Sequence, residues 1–255
     1  MGQKLKDRGP CVFCGRPATS DDHIPPKTIF GDTKPSNLIT VPACGGCNNG
    51  CSLDDEYFKQ LCLMSGIDGN RAADDVMASF FRSIGREQAR GMRRGFYNRV
   101  SPLKVVSSTG SILGDVTGCR MEWQRIEPIL ERIVRGLFWK HTDRRLPEGY
   151  GVEWKMMPQP MVNVGEVPLD YLSTFRLMEN CPVQSVGDGS VFQYRYMTNP
   201  TDPNMMTFRL DVYRAVGFMG FTGRRIADGF MSIYHPRRET IATTATKNLL
   251  NSAGE

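Results

Sequence analysis

The chain reads as an α+β protein: a metal-held N-terminal segment, then helices, then a mostly antiparallel β part. Three observations predict this. Six of the eight cysteines, Cys11, Cys14, Cys44, Cys47, Cys51 and Cys62, fall in the first quarter of 255 residues. Ile126, Ile129, Ile133, Leu137 and Phe138 form an apolar stripe at helical spacing over residues 126–140. Farther on, Phe192, Tyr194 and Tyr196 alternate with Gln193 and Arg195, and Phe208, Leu210 and Val212 with Arg209 and Asp211. Such alternation marks half-buried strands.

The elements follow in order. Residues 1–58 are rich in Cys, Gly, Pro, Asn and Asp and lack continuous apolar periodicity. A segment of this kind cannot build a core alone and needs a metal to hold it. From Asp54 the pattern turns helical, with Tyr57, Leu61 and Met64 on one face and Gly66 as a stop. A second helix is expected from near Asn70 toward Arg94, with Ala73, Val76, Phe80 and Ile84 facing inward. Residues 103–123 read as a β-hairpin: Leu103 to Val106, a turn over Ser108 to Gly114, and a return including Met121 to Trp123. Leu146-Pro147-Glu148-Gly149 ends the 126–140 helix, and Val152-Glu153-Trp154 begins another strand. From Glu239 the chain reads as a short helix or a frayed tail. The division expected is residues 1–60 as the metal module and 61–255 as an α+β region.

The net charge of +5 suits a polyanionic partner and argues against an acidic solvating role. No apolar run approaches the roughly 20 residues that span a bilayer. The start, Met-Gly-Gln-Lys-Leu-Lys-Asp-Arg, has no apolar signal core, so a cytoplasmic protein without a membrane partner is expected.

Cys11-Val12-Phe13-Cys14 and Cys44-Gly45-Gly46-Cys47 are two matched Cys-x-x-Cys units. Zinc favours four thiolates in a tetrahedron, and such closed sites are structural. Free buried thiols would not explain two matched pairs. Cys51 and Cys62 read as small buried residues rather than spare ligands.

Between the knuckles lies Asp21-Asp22-His23-Ile24-Pro25-Pro26-Lys27, followed by Asn37-Leu38-Ile39 and, after Cys47, by Asn48. This order resembles the four-cysteine branch of the HNH endonucleases, whose fold is the ββα-metal finger. The resemblance covers residues 11–58. It implies a β-hairpin and a helix folded around one catalytic divalent ion. His23 matches the general base, Asp22 and Asn48 the metal ligands, and Asn37 the residue that orients the loop holding the histidine. Asn48 stands where the family name has its last His. Oxygen donors from Asp and Asn favour Mg²⁺ or Mn²⁺ over zinc at that position. The implied activity is phosphodiester hydrolysis in DNA, leaving 5′-phosphate and 3′-hydroxyl ends. Members of the family serve restriction, phage defence, mobile elements and repair.

Each residue also has a plainer role. Asp22-His23 can cap a loop, Asn48 can cap a helix, and Asp54-Asp55-Glu56 can line a helix's first turn. His141 and His235 have no neighbouring ligand pattern. Residues 82–104 hold Arg82, Arg86, Arg90, Arg93, Arg94, Arg99 and Lys104 against Glu87, with Phe96 and Tyr97 interleaved. Arg86, Arg90, Arg93 and Arg94 on one helix face, together with Lys27, would grip phosphates; otherwise they form a solvated face. The alternatives to a DNA nuclease are an RNase on the same scaffold and a zinc-finger module that binds nucleic acid without cutting it. A protein partner or oligomer is compatible with residues 61–255.

Overall fold

The computed structural model describes residues 8–32, 34–64, 70–107, 109–157, 169–226 and 229–231. The N-terminal part forms an antiparallel hairpin, β1 (Ser20–Ile24) and β2 (Ile39–Ala43), in which Asp22 faces Val41 and His23 faces Thr40. Two helices follow, the short α1 (Gly45–Asn49) and α2 (Ser52–Met64). Then come α3 (Arg71–Gly85), α4 (Arg90–Tyr97) and a separate two-stranded ribbon, β3 (Val100–Val106) and β4 (Ile112–Cys119). The long α5 (Trp123–Thr142) leads into β5 (Tyr150–Met156), α6 (Leu169–Glu179), β6 (Gln184–Val186) and β7 (Phe192–Thr198). Strands β8 (Met206–Val212), β9 (Val216–Ile226) and β10 (Gly229–Met231) complete a six-stranded antiparallel sheet ordered β10-β9-β8-β7-β6, with β5 also paired to β9.

The expected mixture of helices and antiparallel strands is therefore present. Two local expectations need correction. The helix expected from Asn70 toward Arg94 is broken: Arg86 takes an extended backbone after Gly85, a 3₁₀ turn follows, and α4 starts at Arg90. Arg86 thus does not share a helix face with Arg90, Arg93 and Arg94. Gly85 is a weak helix residue, and Ile84 is the last side chain of α3 that the core holds. The ribbon's return strand comes earlier than expected, at Ile112–Cys119, because Trp123 already opens α5. The stop expected at Gly66 and the segment from Glu239 lie outside the described residues, as does His235.

Helix α5 is the centre of the molecule. Ile126, Ile129, Leu130, Ile133, Val134, Leu137 and Phe138 are all fully buried. One of its sides receives the hairpin and α2, and another receives β5 and β9. Two glycines permit these approaches. A Cβ on Gly136 would overlap the side chain of Ile24 on β1, and one on Gly220 of β9 would overlap Val134. A single apolar cluster runs through the hairpin, the helices and the sheet, from Ile24, Ile29 and Val41 to Phe208, Leu210 and Phe218.

Polar ties fix the same arrangement. Asn70 caps α3 by accepting from the amides of Ala72 and Ala73, as Asn does at helix starts. Its Nδ2 donates to the carbonyls of Ser190, at 2.9 Å, and Tyr213, so the helix start is tied to the sheet. The buried Tyr213 hydroxyl donates to the Ile29 carbonyl, in the turn that follows β1. No helix among the described residues is long and apolar enough to cross a membrane.

Gly136→Ala tests the seat of the hairpin on α5. The added methyl must displace Ile24, and overpacking of this kind costs about 1–3 kcal/mol. Chemical denaturation should show that loss. Full stability would mean that β1 can shift away from α5 freely.

Candidate functional site

The cysteine frame is built by backbone turns. Cys11 N donates to Arg16 O at 2.7 Å and Gly15 N to Cys11 O at 2.8 Å, which wraps the chain tightly around the first pair. Gly15 takes φ +79°, a left-handed backbone that a side chain would strain. At the second pair, the amides of Cys47 and Asn48 both donate to Cys44 O, at 3.1 and 3.0 Å, as α1 begins. The sulfurs of Cys11, Cys14, Cys44 and Cys47 come within 4.8 Å of one another, so the group can hold a metal ion such as zinc. A tetrahedron of about 2.3 Å bonds has sulfur–sulfur edges of about 3.8 Å. Cys14 and Cys44 are 3.6 Å apart. Arg16 Nε donates to Cys14 Sγ, and this bond pulls the Cys14 thiol down to about 6, favouring the thiolate. Cys51 and Cys62 stand outside the cluster. Cys51 Sγ points to Cys47 O, and burial pushes both thiols up.

Strand alternation puts neighbours Asp22 and His23 on opposite faces of β1. Asp22 turns inward and is 5% exposed. Its Oδ1 accepts the His23 backbone N–H at 2.8 Å, and its Oδ2 accepts Arg132 Nη2 of α5 at 2.5 Å. Arg132 Nη1 reaches Asp55 of α2 at 3.1 Å. One buried guanidinium thus joins three elements, and its Nε is buried without a hydrogen-bond partner. Burial, together with nearby Asp22, pushes the Asp55 carboxyl up to about 6 against the pull of Arg132. Of the acidic run, Asp54 and Asp55 do occupy the first turn of α2, with Asp54 held by Arg125 at 2.7 Å. The turn of Asp55 into the ion cluster was missed. The signal for it was an arginine standing among the buried positions of α5.

His23 is half-buried on the outer face. Burial first, then the positive charge of Lys27, holds its pKa below the usual histidine value, so the ring is neutral at neutral pH. Lys34 adds to that effect. Lys27 is exposed in a 3₁₀ turn that starts just after Pro26. Lys34, which sequence reasoning did not single out, feels Lys27 and Lys59 as like charges. Asp22 and Asp21 act on the His23 ring in the opposite sense, and Asp32 on Lys34, so lysines and carboxylates both surround the histidine.

Asn48 on α1 reaches back to the start of β1, donating to Ser20 Oγ at 2.9 Å and to the Asp21 carbonyl at 3.2 Å. Asn37 precedes β2 and points elsewhere. Its Oδ1 accepts the Gly187 amide at 2.7 Å, and its Nδ2 donates to the Ser185 carbonyl at 3.2 Å. It thereby ties the hairpin loop to β6 and the turn beyond it.

The basic stretch divides into two environments. Arg90 and Arg94 of α4 are exposed, Arg93 is half-buried, and Arg86 is exposed in the break before α4. Arg90 pairs with Glu87. Arg99 turns inward onto Gln60 at 2.7 Å and lies over the Tyr57 ring. His141, read as ordinary, stacks on Tyr196 at 3.8 Å and bonds the Tyr194 hydroxyl at 3.0 Å.

Comparison of the chain with protein-family models, with curated proteins and with solved structures returns no match.

Arg132→Met tests the ion cluster. It leaves Asp22 and Asp55 as buried carboxylates without a counter-charge, a change that typically costs about 3–5 kcal/mol. Urea denaturation should read that loss, with Arg132→Lys recovering part of it. A change below about 1 kcal/mol would mean that the cluster behaves like a surface pair.

Proposed function

We propose that the chain is a metal-dependent nuclease, with DNA as the leading substrate. The observation that carries this reading is the bond from Asn48 of α1 back to the strand that holds Asp22 and His23. Asp22 and His23 on β1 are followed, 25 residues after His23, by Asn48, whose amide bonds back to the Asp21 carbonyl on the same strand. The paired cysteines, in this reading, hold a structural zinc that sets the hairpin against α1. The resemblance to HNH endonucleases supplies the roles: His23 as general base, Asp22 and Asn48 as ligands of Mg²⁺ or Mn²⁺, Asn37 as the loop-orienting residue.

The side chains suit those roles. A neutral His23 can accept the proton of an attacking water at neutral pH. Lys27 and Lys34 beside it favour an anionic phosphodiester. Asp22 and Asp55 carry two negative charges against the single positive charge of Arg132. With both carboxylates ionised the cluster keeps one net negative charge, which favours a cation. A divalent ion, once bound, supplies charge neutralisation at the non-bridging oxygen and at the departing O3′. These roles concern the phosphate rather than the base or the sugar, so RNA is the alternative substrate. The exposed Arg90 and Arg94 suit duplex phosphates.

A second reading has one specific observation behind it. Arg132 already satisfies the Asp22 carboxylate without a metal ion. On that reading the cluster is a structural tie, and the protein is a zinc module that binds nucleic acid without cutting it.

Zinc is tested first. Elemental analysis should find one zinc per chain in protein purified without added metal, and the Cys44→Ser/Cys47→Ser variant should lose it. Apparent zinc-binding energies of about 10 kcal/mol or more make that loss a loss of structure in the N-terminal part as well. Full zinc content in the double variant would remove the four-cysteine assignment.

Cleavage of supercoiled plasmid with Mg²⁺, Mn²⁺ or EDTA separates the two readings. His23→Ala should keep its zinc and most of its affinity for nucleic acid, yet cut about 10²- to 10⁴-fold more slowly, the range for a general base. Asp22→Asn, which keeps an oxygen for Arg132, should raise the divalent-ion requirement as well as slowing the reaction. Asn48→Asp should retain activity that Asn48→Ala lacks. If the parent cuts neither DNA nor RNA with any metal, the binding module is the correct reading.

A further inference from the structure

A cleft of about 390 Å³ opens between the hairpin loop, the last turn of α5 and strands β6 and β7. Its lining includes Asn37, Thr40, Trp139, Lys140, Gln184 and Tyr194. Ligand pockets begin at about 300 Å³, so a nucleotide-sized group fits. Two of the lining side chains are held by hydrogen bonds. Asn37 is held by the Ser185 carbonyl and the Gly187 amide. Tyr194 is 3% exposed, and its hydroxyl is bonded to His141, which is stacked on Tyr196. Trp139 is half-buried and Lys140 is exposed.

The cleft's position matters as much as its lining. Thr40 lies directly across the hairpin from His23. Opposite residues of an antiparallel pair share a face, with Cβ atoms about 5 Å apart. The cleft therefore begins one cross-strand step from the proposed base.

We propose that this cleft receives an unpaired nucleobase of the nucleic-acid strand next to the phosphate presented to His23. The proposal rests on the nuclease reading and names its substrate: a strand with at least one base free of its partner. The indole of Trp139 offers a stacking face, which tolerates any base because every base has a π-face. The Gln184 amide and the Asn37-to-Thr40 backbone offer polar partners for a base edge. The Lys140 ammonium meets the next phosphate.

The test uses full-length, zinc-loaded protein carrying His23→Ala and fluorescein-labelled 12-mer DNA followed by anisotropy. Three probes are compared: a single strand, the same strand with a central abasic site, and the blunt duplex. The single strand should bind most tightly. Trp139→Leu should weaken single-strand binding on the order of 10-fold or more, from the usual worth of one base–aromatic stack, and leave the abasic strand unchanged. Trp139→Phe keeps a ring and should retain most of the affinity; its melting curve guards against misfolding of the Leu variant. Equal binding of the abasic strand, or indifference to both Trp139 variants, overturns the proposal. Displacement of the strand by equimolar dAMP assigns the cleft to free nucleotides and also overturns it. The two levels fail separately. Parent protein that cuts plasmid but binds without Trp139 has a nuclease site and no base cleft. Protein that stacks a base on Trp139 but never cuts retains the cleft and loses the nuclease reading.

Discussion

Arg132 sits where a charge is expensive, on the buried face of α5 between isoleucines and leucines that are themselves out of water. A guanidinium is held there only if its partners are close and oppositely charged. The chain supplies two, Asp22 on β1 and Asp55 on α2, at 2.5 and 3.1 Å. Hairpin, second helix and central helix are consequently bound to one buried centre. None can move without stranding a charge. The apolar contacts act in the same direction, since Ile24 enters the space above Gly136 one turn farther along α5. The cysteine-rich segment places Val12, Ile24, Ile29, Phe30, Ile39 and Val41 in the common core, so its hairpin is held along its inner face by α5.

Much of this arrangement was legible from residue order. The two Cys-x-x-Cys units are a local pattern with a local cause, and their sulfurs do come together. Helix α5 was visible because its apolar positions repeat at 3.6 residues, and β7 and β8 because theirs repeat at two. Asn70 was visible as a helix start because an Asn side chain can serve the free amides there. These signals share one property: each is decided within a single element or turn of sequence.

What was hidden depends on distant partners. Asp22 and Arg132 are separated by 110 positions, Asn37 and Gly187 by 150, and Tyr213 and Ile29 by 184. No local pattern pairs them. Asp55 looked like an ordinary first-turn acid, and it is one; the surprise is what it faces. The break at Arg86 was misjudged for the opposite reason. The basic positions on both sides kept a helical rhythm, but the last core contact of α3 is at Ile84, and nothing buried demanded that the helix continue. The cleft beside Thr40 could not be read at all, because its walls come from a loop, a helix end and three strands brought together only by the fold.

The adjacency of Asp22 and His23 has a geometric consequence. A strand sends neighbouring side chains to opposite faces, so one step of sequence separates a charged, inward-facing oxygen donor from an outward-facing proton acceptor. The two remain coupled because Asp22 Oδ1 accepts the backbone N–H of His23 itself. A slip of one residue in the β1–β2 register would exchange them, placing the imidazole against Arg132 and the carboxylate among Lys27 and Lys34. The hairpin's own alternation, with Ile24, Ile39, Val41 and Ala43 buried on the face of Asp22, sets that register. Cys14 lies six residues before β1, and Cys44 follows directly on Ala43, the last residue of β2. A metal ion held by the four sulfurs would add to this by fixing the entrance of one strand against the exit of the other. The alternation then assigns each side chain its face.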